Sequence, residues 1–227
     1  MPTRGVLFGN RREAGQKLAL ALSGFASRSP LILALPRGGV PVAYEIALAL
    51  DAALDLLLVR KVGAPGHEEL GIGAVVDGDE PQLVLNEDLA RMVGAGPDYI
   101  RAEVQRQTAE LERRRQAYLG NREAHRINGR TVIVVDDGIA TGGTMRAALR
   151  GARCSQPSRL VLAVPVAPRD AIESLRADCD EAVCLETPDP FHAVGAWYAD
   201  FTQTNDDEVR TLLDQAGRNF ATTHPEG

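Results

Sequence analysis

Two adjacent carboxylates stand before a loop of small residues in the stretch VVDDGIATGGTM, residues 134–145. Asp136 and Asp137 follow a β-branched run, and the next seven residues, 138–144, include three glycines and two threonines. Glycines let successive backbone N–H groups converge on one anion, and a helix that begins after such a loop adds partial positive charge. The loop therefore predicts a phosphate site. The carboxylates would repel that phosphate, so they require hydroxyl groups or a metal ion beside it.

A sugar phosphate meets both requirements, with its phosphate in the loop and its ribose hydroxyls at the two acids. Thr141 and Thr144 would donate hydroxyl hydrogen bonds to the phosphate. A P-loop nucleotidase is a competing interpretation, but the chain has no GxxxxGK[ST] pattern and no lysine follows these glycines. An ordinary strand-turn-helix, in which Asp and Gly only serve the turn, is a second alternative. Two adjacent acids followed by TGGT favour the sugar phosphate.

The rest of the chain alternates short apolar runs with longer helical patterns. Runs without polar alternation are typical of strands covered on both faces, as in a parallel sheet. The predicted strands are 31–35, 54–59, 131–135, 159–166 and 182–186. The predicted helices between them are 40–50, 144–153 and 168–177. This order predicts a doubly wound α/β fold, with the two aspartates at the carboxyl edge of the sheet, where ligands bind.

An insertion separates the second and third of these strands. Residues 72–85 predict a hairpin around the turn-rich DGDEP. Residues 98–119 predict one long helix, whose apolar stripe comprises Ile100, Val104, Leu111 and Tyr118. Residues 101–130 contain eight arginines and four glutamates, which we interpret as a solvated face with i,i+4 ion pairs rather than a nucleic-acid surface. Residues 217–227 are expected to be a frayed tail.

Composition limits the class of protein. The chain has 227 residues, 44% hydrophobic content and a formal net charge of −6, which fits one aliphatic core and gives no general reason to expect a nucleic-acid or membrane partner. No run reaches the roughly 18 apolar residues of a membrane span. Three cysteines without a CxxC pair indicate a reducing cytoplasm. Arg11 and Arg12 precede a short apolar stretch, as in a twin-arginine export signal. Lys17 beside that stretch and the lack of a clear cleavage site argue against such a signal.

The stretch VIVVDDGIATGGTM closely resembles the phosphoribosyl diphosphate (PRPP) motif of type I phosphoribosyltransferases. The resemblance implies a five-stranded, mainly parallel sheet with helices on both faces and a variable hood, and the predicted elements match that order over about residues 30–200. It also implies that Asp136 and Asp137 bind the ribose hydroxyls. The residues implied to hold the 5′-phosphate are Gly138, Ile139, Ala140, Thr141, Gly142, Gly143 and Thr144.

Two further segments match the family's pattern. LPRGGVPVA, after the first core strand, corresponds to the pyrophosphate loop, so Arg37, Gly38 and Gly39 are implied to bind pyrophosphate. That loop commonly contains a non-proline cis peptide, here expected between Arg37 and Gly38. VRKVGAPGHEELGIGAV corresponds to the family's mobile loop, in which Lys61 is implied to contact pyrophosphate. Residues 62–71 depart from the better-known members because they contain no Lys or Arg.

The stretch ETPDPFHAVGAWYADF, residues 186–201, resembles the hood of purine phosphoribosyltransferases. The resemblance implies that Phe191 stacks on the base and that Asp200 contacts a magnesium ion. The core of the hood is expected to comprise Trp197, Tyr198 and Phe201. The expected organisation is a single domain over residues 1–227, with a core at about 30–185, an insertion at about 72–120 and a hood at about 186–216.

The function implied by the resemblance is a Mg²⁺-dependent transfer of the phosphoribosyl group from PRPP to a nitrogenous base, with release of pyrophosphate. The implied catalytic residues are Arg37, Lys61, Asp136 and Asp137. No protein nucleophile is needed, because catalysis mostly requires positioning and stabilisation of the departing charge. Two other classes stay open: a non-catalytic PRPP-binding regulator and a hydrolase of an activated ribose phosphate. The assembly considered is a homodimer.

The acceptor base is constrained by one position of the phosphate loop. In family members that use 6-oxopurines, the residue three after the second acid is usually an aspartate, whereas this chain has Ala140. An alanine cannot exchange a proton, so this position offers no general base for hypoxanthine or guanine. We expect at most trace activity with 6-oxopurines, and an acceptor outside the common salvage bases fits the sequence as well as adenine does.

Overall fold

The computed structural model describes residues 5–78, 81–120, 122 and 124–224. The strands are β1 Leu31–Ala34, β2 Ala53–Leu56, β3 Val59–Ala64, β4 His67–Val76, β5 Gln82–Leu85, β6 Thr131–Val135, β7 Arg159–Val166 and β8 Glu181–Glu186. The helices are α1 Arg11–Ala21, α2 Gly39–Leu50, α3 Glu87–Met92, α4 Pro97–Leu119, α5 Gly143–Cys154, α6 Arg169–Leu175 and α7 Asp206–Thr223. Short 3-10 segments lie at Ser23–Arg28, Arg176–Asp178 and Val194–Trp197.

The central sheet confirms the predicted doubly wound α/β fold. Its strand order is β2-β1-β6-β7-β8, and every neighbouring pair is parallel. Along β6, Ile133 and Val135 pack into a core with α1, α2 and α7, whereas Val132 and Val134 pack into a second core with α5 and α6. Both faces are therefore covered, which explains why β6 and β7 are continuous apolar runs with the predicted bounds.

The order of the strands reverses between β1 and β6. The chain moves from β1 to β2 on one side, and from β6 to β7 and β8 on the other. In the parallel register Ala34 lies opposite Val135, so β1 and β6 end side by side. Such a switch point leaves a crevice beyond the carboxyl ends of the two strands. The loops that follow β1 and β6 are therefore the ones that border this crevice.

A second, antiparallel sheet has the order β3-β4-β5. The hairpin predicted at residues 72–85 is confirmed by the pairing of β4 with β5, although β4 already begins at His67. The predicted strand 54–59 is wrong at its end, because β2 stops at Leu56 and β3 starts a new sheet at Val59. Asp55 at the end of β2 is buried and accepts the Leu56 N–H, which marks the point where the chain leaves the central sheet.

The segment expected to be a mobile loop forms the hairpin between β3 and β4. Pro65 and Gly66 occupy its turn, and Gly66 has a φ of 71°, a combination that favours a tight turn. Gly63 allows the strands to approach closely, since a β-carbon there would lie 2.6 Å from the Glu68 carbonyl oxygen. The glycines of this segment therefore serve strand pairing.

The long helix α4 matches the predicted 98–119 within one residue at its start. Its outward arginines form the expected pairs one turn apart, which are Arg101 with Asp98, Arg106 with Glu103, and Arg113 and Arg114 with Glu110. Arg115 differs, because its side chain is only 20% exposed and pairs with Asp55 and Asp77 at 3.0 and 2.8 Å. One arginine of the predicted solvated face is thus directed into the protein.

Helices α1 and α7 lie near the two ends of the described chain. In α1 the side chain of Asn10 accepts the Glu13 N–H at 3.0 Å, a helix cap that the sequence pattern Asn-x-x-Glu could have indicated. The predicted frayed tail is wrong for residues 217–223, because α7 continues to Thr223. The buried face of α7 comprises Val209, Leu212, Leu213 and Ala216, at helical spacing. Residues 225–227 lie outside the described part of the chain.

Within the described ranges, no helix has the length and apolar content needed to cross a membrane.

Candidate functional site

The loops after β1 and β6 meet at the carboxyl edge of the central sheet. We call residues 36–39 the PRGG loop and Asp136 with Asp137 the acid pair. The Leu35 N–H donates to the Val135 carbonyl oxygen at 2.9 Å, which ties the start of the PRGG loop to the end of β6. A β-carbon at Gly38 would lie 2.1 Å from Asp137 Oδ2, so only glycine permits this approach. The two sequence motifs therefore form one site.

The PRGG loop has its non-proline cis peptide between Pro36 and Arg37. The predicted position, between Arg37 and Gly38, is wrong by one residue. Gly38 already has helical backbone angles, with φ −60° and ψ −34°, because it is the residue before α2. The Gly39 N–H donates to the Leu35 carbonyl oxygen at 3.0 Å, which closes the turn.

The acid pair lies half-buried just beyond β6, and its two members have different partners. Arg11, the first residue of α1, donates from Nε to Asp137 Oδ2 at 2.7 Å. The Tyr198 hydroxyl donates to the Asp137 backbone carbonyl at 2.5 Å. Asp136 Oδ1 accepts the Asp137 N–H at 2.8 Å, and within the described residues no ion pair involves Asp136. Arg11 thus pairs directly with Asp137 and acts on Asp136 only through its charge.

Burial raises the pKa of both carboxyl groups. The pKa of Asp136 rises well above its ordinary value because the group is desolvated and because Asp137 is negatively charged. Desolvation also raises the pKa of Asp137, but the hydrogen bond and the charge of Arg11 oppose that rise. A ligand that brings hydroxyl donors or positive charge to this edge would relieve the unfavourable energy of the two buried charges.

Arg11 is a site residue that the sequence motifs did not indicate. Its guanidinium carbon lies 3.8 Å from the centre of the Phe201 ring, and Nη1 donates to the Thr202 carbonyl oxygen at 2.7 Å. The side chain is only 11% exposed. The neighbouring Arg12 points elsewhere and pairs with Glu45 at 2.6 Å. The two arginines considered as an export signal therefore have separate partners within the folded domain.

The loop of residues 138–144, which we call the TGGT loop, runs from the acid pair into α5. Its first part is fixed, because the Ile139 N–H donates to the Val166 carbonyl oxygen at 3.0 Å and the Ile139 side chain is buried. Gly142 has a φ of 80°, which favours glycine. The exposed members are Ala140, Thr141, Gly143 and Thr144. They lie at the start of a 12-residue helix, whose free N–H groups and dipole favour an anion.

Comparison with known proteins agrees with this geometry. A family model for the phosphoribosyl transferase domain matches residues 12–200, which include the PRGG loop, the acid pair and the TGGT loop. The chain belongs to the phosphoribosyl transferase family. Two proteins of Mycobacterium tuberculosis, from strains CDC 1551 and H37Rv, carry the name phosphoribosyl transferase as a provisional assignment and are each 44% identical over 215 residues.

The extent of these similarities differs between relatives. The aligned residues are 95% of this chain but 48% of each Mycobacterium protein, so the chain spans about half the length of the curated relatives it matches. The crystal structure of TT1426 from Thermus thermophilus aligns over 92% of this chain and 98% of that chain, with 44% identity and a TM-score of 0.81. The fold of this phosphoribosyl transferase family member is therefore shared with a solved structure over nearly its whole length.

The side chains of the two cationic residues predicted to bind pyrophosphate in this family member have partners other than the acid pair. Arg37 Nη1 lies 3.5 Å from Asp206 Oδ1, and the Tyr118 hydroxyl donates to the same carboxylate at 2.8 Å. Lys61, on β3, donates from Nζ to the Glu69 backbone carbonyl at 2.8 Å and to its side chain at 3.1 Å. Among the described residues, no hydrogen bond or ion pair joins Lys61 to Arg37 or to the acid pair.

The predicted hood residues form a small apolar cluster beside the TGGT loop. Its buried members are Phe8, Ala14, Val166, Trp197 and Tyr198. Phe191 packs against this cluster, with its ring centre 6.2 Å from that of Trp197. A β-carbon at Gly138 would lie 2.5 Å from Val194 Cγ1, so the hood contacts the first residue of the TGGT loop. The base-stacking role of Phe191 stays a prediction.

Asp200, the predicted magnesium contact, has an exposed carboxylate. Its Oδ1 accepts the Thr202 hydroxyl at 2.6 Å and the Thr202 N–H at 2.9 Å, and these bonds lower the pKa of Asp200. The positive charge of Arg11 also lowers this pKa, which puts Asp200 within electrostatic range of the site. In the part of the chain that the structure describes, no three His, Cys, Asp or Glu side chains form a metal-binding group. The metal role of Asp200 also stays a prediction.

Proposed function

We propose that this protein transfers the 5-phosphoribosyl group of PRPP to a nitrogenous base and releases pyrophosphate. The observation that carries the proposal is the contact between the PRGG loop and the acid pair at the β1/β6 switch point. An anion-binding turn and two carboxylates in direct contact suit a substrate that is highly charged at one end and rich in hydroxyls beside it. PRPP has that arrangement, because its pyrophosphate is attached next to the ribose hydroxyls.

The three parts of PRPP would each contact a separate part of the site. The 5′-phosphate would bind the TGGT loop, where the exposed residues Gly143 and Thr144 begin α5. The ribose hydroxyls would donate to the acid pair. The pyrophosphate would bind Arg37 and the N–H groups of Gly38 and Gly39, with Lys61 approaching from β3. Each contact pairs a ligand group with protein groups of the opposite character.

Reaction at ribose C1 requires no protein nucleophile. The C1–O bond to pyrophosphate breaks, with its electron pair leaving on the pyrophosphate oxygen, while a nitrogen lone pair of the base forms the new C1–N bond. A proton on that nitrogen is released to solvent or to pyrophosphate. Because positive charge develops on the ribose ring, Asp136 and Asp137 would stabilise it, and Arg37 would stabilise the departing negative charge.

One carboxylate within electrostatic range of the site, that of Asp200, would suit a magnesium ion. Mg²⁺ prefers carboxylate, phosphate and water oxygens, and Asp200 offers a carboxylate whose pKa is lowered and which is therefore ionised at neutral pH. Asp200 would hold the ion together with oxygens of the substrate and water. When bound, the metal would neutralise part of the pyrophosphate charge.

Arg37 and Lys61 would change partners when pyrophosphate binds. The Arg37 and Lys61 side chains are 40% and 46% exposed, so their ion pairs with Asp206 and Glu69 are solvated and contribute little. A pyrophosphate group carries several negative charges and accepts more hydrogen bonds than one carboxylate does. We therefore expect it to displace the acids.

The test is a screen of nucleobases with PRPP and Mg²⁺ that follows pyrophosphate release, beside calorimetric binding of PRPP. The variant Asp136→Asn/Asp137→Asn is the negative control and should lose both signals. Base-dependent release would support the transferase. Release without any base would favour the hydrolase, and tight PRPP binding without release would favour the regulator. Absence of PRPP binding in the folded wild-type protein would overturn the proposal.

The same screen tests the acceptor. Ala140 is exposed in the TGGT loop and has no group that can take a proton from the base. We expect at most trace turnover with hypoxanthine, guanine or xanthine at saturating PRPP. Robust turnover with hypoxanthine or guanine would show that Ala140 does not exclude 6-oxopurines.

The reaction is proposed to take place in the cytoplasm. Cys154, Cys179 and Cys184 are free thiols, which suits a reducing compartment.

A further inference from the structure

Only some of the carboxylate oxygens of the acid pair accept a hydrogen bond. Arg11 binds Asp137 Oδ2, and the Asp137 N–H binds Asp136 Oδ1. In the described part of the chain, the remaining two oxygens, Asp137 Oδ1 and Asp136 Oδ2, accept no hydrogen bond. The pair thus offers two free acceptors on adjacent residues. Two neighbouring hydroxyl groups on one ligand are the donors that match this arrangement.

We propose that Arg11 is a positioning residue that fixes the Asp137 carboxylate so that the acid pair accepts both hydroxyls of the vicinal diol of ribose. This inference rests on the proposed function, because it takes a ribose 5-phosphate group as the ligand. Arg11 would not touch the sugar. It acts through Asp137, whose carboxylate it holds at a single oxygen.

The surroundings of Arg11 support a fixed role. The guanidinium packs on the Phe201 ring at 3.8 Å, Nη1 donates to the Thr202 carbonyl oxygen, and Nε donates to Asp137. The planar guanidinium suits these three contacts, since it donates in two directions while one face stacks on an aromatic ring. A side chain held in this way loses little further freedom when the ligand binds.

The charge of Arg11 supports the same role. Two adjacent carboxylates at a desolvated strand end repel each other, and repulsion would turn them apart. Arg11 compensates one of the two charges at Asp137 Oδ2, the same oxygen that a β-carbon on Gly38 would meet at 2.1 Å. The Asp137 carboxylate is therefore held by contacts with both α1 and the PRGG loop.

Arg12 provides a matched control on the same helix. Its side chain is 56% exposed and pairs with Glu45 at 2.6 Å, a distance like that of the Arg11 pair. The two arginines thus have the same chemistry and neighbouring positions, but only Arg11 contacts the site. An effect of general helix loosening should appear in both variants, whereas an effect of positioning should appear only for Arg11.

The experiment measures binding of ribose 5-phosphate and 2-deoxyribose 5-phosphate by calorimetry to wild type, Arg11→Gln, Arg11→Lys and Arg12→Gln. We expect Arg11→Gln to bind ribose 5-phosphate about 10- to 100-fold more weakly, as for loss of a hydrogen bond to a charged group. The preference for ribose over deoxyribose should fall with it, since the phosphate contacts are unchanged. Arg11→Lys should recover part of the affinity and part of the preference for ribose, and Arg12→Gln should match wild type in both quantities.

The outcomes separate this inference from the proposed function. If wild type binds ribose 5-phosphate and Arg11→Gln keeps the same affinity and preference, the role of Arg11 is wrong and the proposed function stands. If wild type binds neither sugar phosphate nor PRPP, both are wrong. Equal weakening for the two sugars would show that Arg11 only supports the hood and would overturn the inference. If Arg11→Gln does not fold, the same binding measurements on Arg11→Lys test the inference. Lysine keeps the positive charge but cannot donate to Asp137 and Thr202 in two directions as the guanidinium does.

Discussion

Two pairs of acids in this molecule each lie beside one arginine, but their hydrogen bonding differs. Asp55 and Asp77 lie in the interior and share Arg115, which is 3.0 and 2.8 Å away. The acid pair lies at the carboxyl edge of the central sheet, where Arg11 reaches only Asp137. The first arrangement joins β2, the end of β4 and α4, whereas the second lies where the strand order reverses between β1 and β6.

The interior pair is fully bonded. The donors to its four carboxylate oxygens are the backbone N–H groups of Leu56, Leu58 and His125 and the Arg115 guanidinium. In the acid pair, only two of the four oxygens have a donor among the described residues. Buried charges are tolerated when they are paired and hydrogen bonded. The difference fits a structural role for the interior pair and the proposed role of the acid pair, which is to accept hydrogen bonds from a ligand.

The largest expected effect is on the interior pair. Arg115→Met should lower the free energy of unfolding by about 3–5 kcal/mol, because it leaves two buried carboxylates without their cation. Urea unfolding at pH 7 measures this. Arg114→Met is the control on the same helix, since Arg114 is 43% exposed and its partner Glu110 keeps Arg113. Equal midpoints for the Arg115 and Arg114 variants would contradict the structural role of the interior pair.

Asp77 of the interior pair should also make the stability depend on pH. Burial raises the pKa of Asp77 from 3.8 to about 6, so the folded state holds its proton more tightly than the unfolded state does. This group's contribution to stability is therefore greatest at low pH and is lost as the pH rises from about 4 to about 6. The loss is at most about 3 kcal/mol for a shift of this size.

The variant Asp77→Asn isolates that contribution, because asparagine does not titrate. The free energy of unfolding of wild type minus that of the variant should therefore decrease from pH 4 to pH 6 and stay constant at higher pH. Urea unfolding at several pH values measures the difference. A difference that does not vary with pH would show that Asp77 titrates normally in the folded protein.

Removal of a charge from the acid pair should weaken ligand binding rather than stability. Asp136→Asn should weaken PRPP binding by about 1.5–3 kcal/mol, the worth of a hydrogen bond to a charged group. Its folding stability at pH 7 should be unchanged or higher, since the raised pKa of Asp136 means that the ionised group is unfavourable in the folded state. Calorimetry and urea unfolding measure the two quantities.

Asp55→Asn is the matched control for this variant. It should lose stability, because Arg115 and the His125 N–H lose part of a buried acceptor. Loss of stability in Asp136→Asn with unchanged PRPP affinity would reverse the roles assigned to the two pairs.

The contrast also explains which features could be predicted from the sequence. The acid pair follows an uninterrupted apolar strand and precedes TGGT, so its position depends on local pattern alone, and β6 has the predicted bounds. The carboxyl ends of β1 and β6 adjoin because parallel strands share a direction, and this places the PRGG loop at the site. These features follow from short-range rules for strands, turns and helix starts.

The partners of the acids could not be predicted in the same way. Arg11 and Asp137 are 126 positions apart, and Arg115 and Asp55 are 60 apart, so each ion pair depends on how helices pack. Local signals did exist for two features that the predictions missed. Pro65-Gly66 is a turn signal that indicates the hairpin between β3 and β4, and Val209 to Ala216 has the helical spacing of α7.

The smallest expected effect concerns a third acid, Glu45, which is buried but has two donors of its own. Arg12 pairs with it at 2.6 Å, and the Gln16 side chain donates to its other oxygen at 3.0 Å. Arg12→Gln should lower the free energy of unfolding by only about 0.2–1 kcal/mol, because Arg12 is 56% exposed and Gln16 remains. PRPP affinity should not change. Urea unfolding that shows a loss as large as that of Arg115→Met would mean that exposure of the cation does not decide how much a buried acid depends on it.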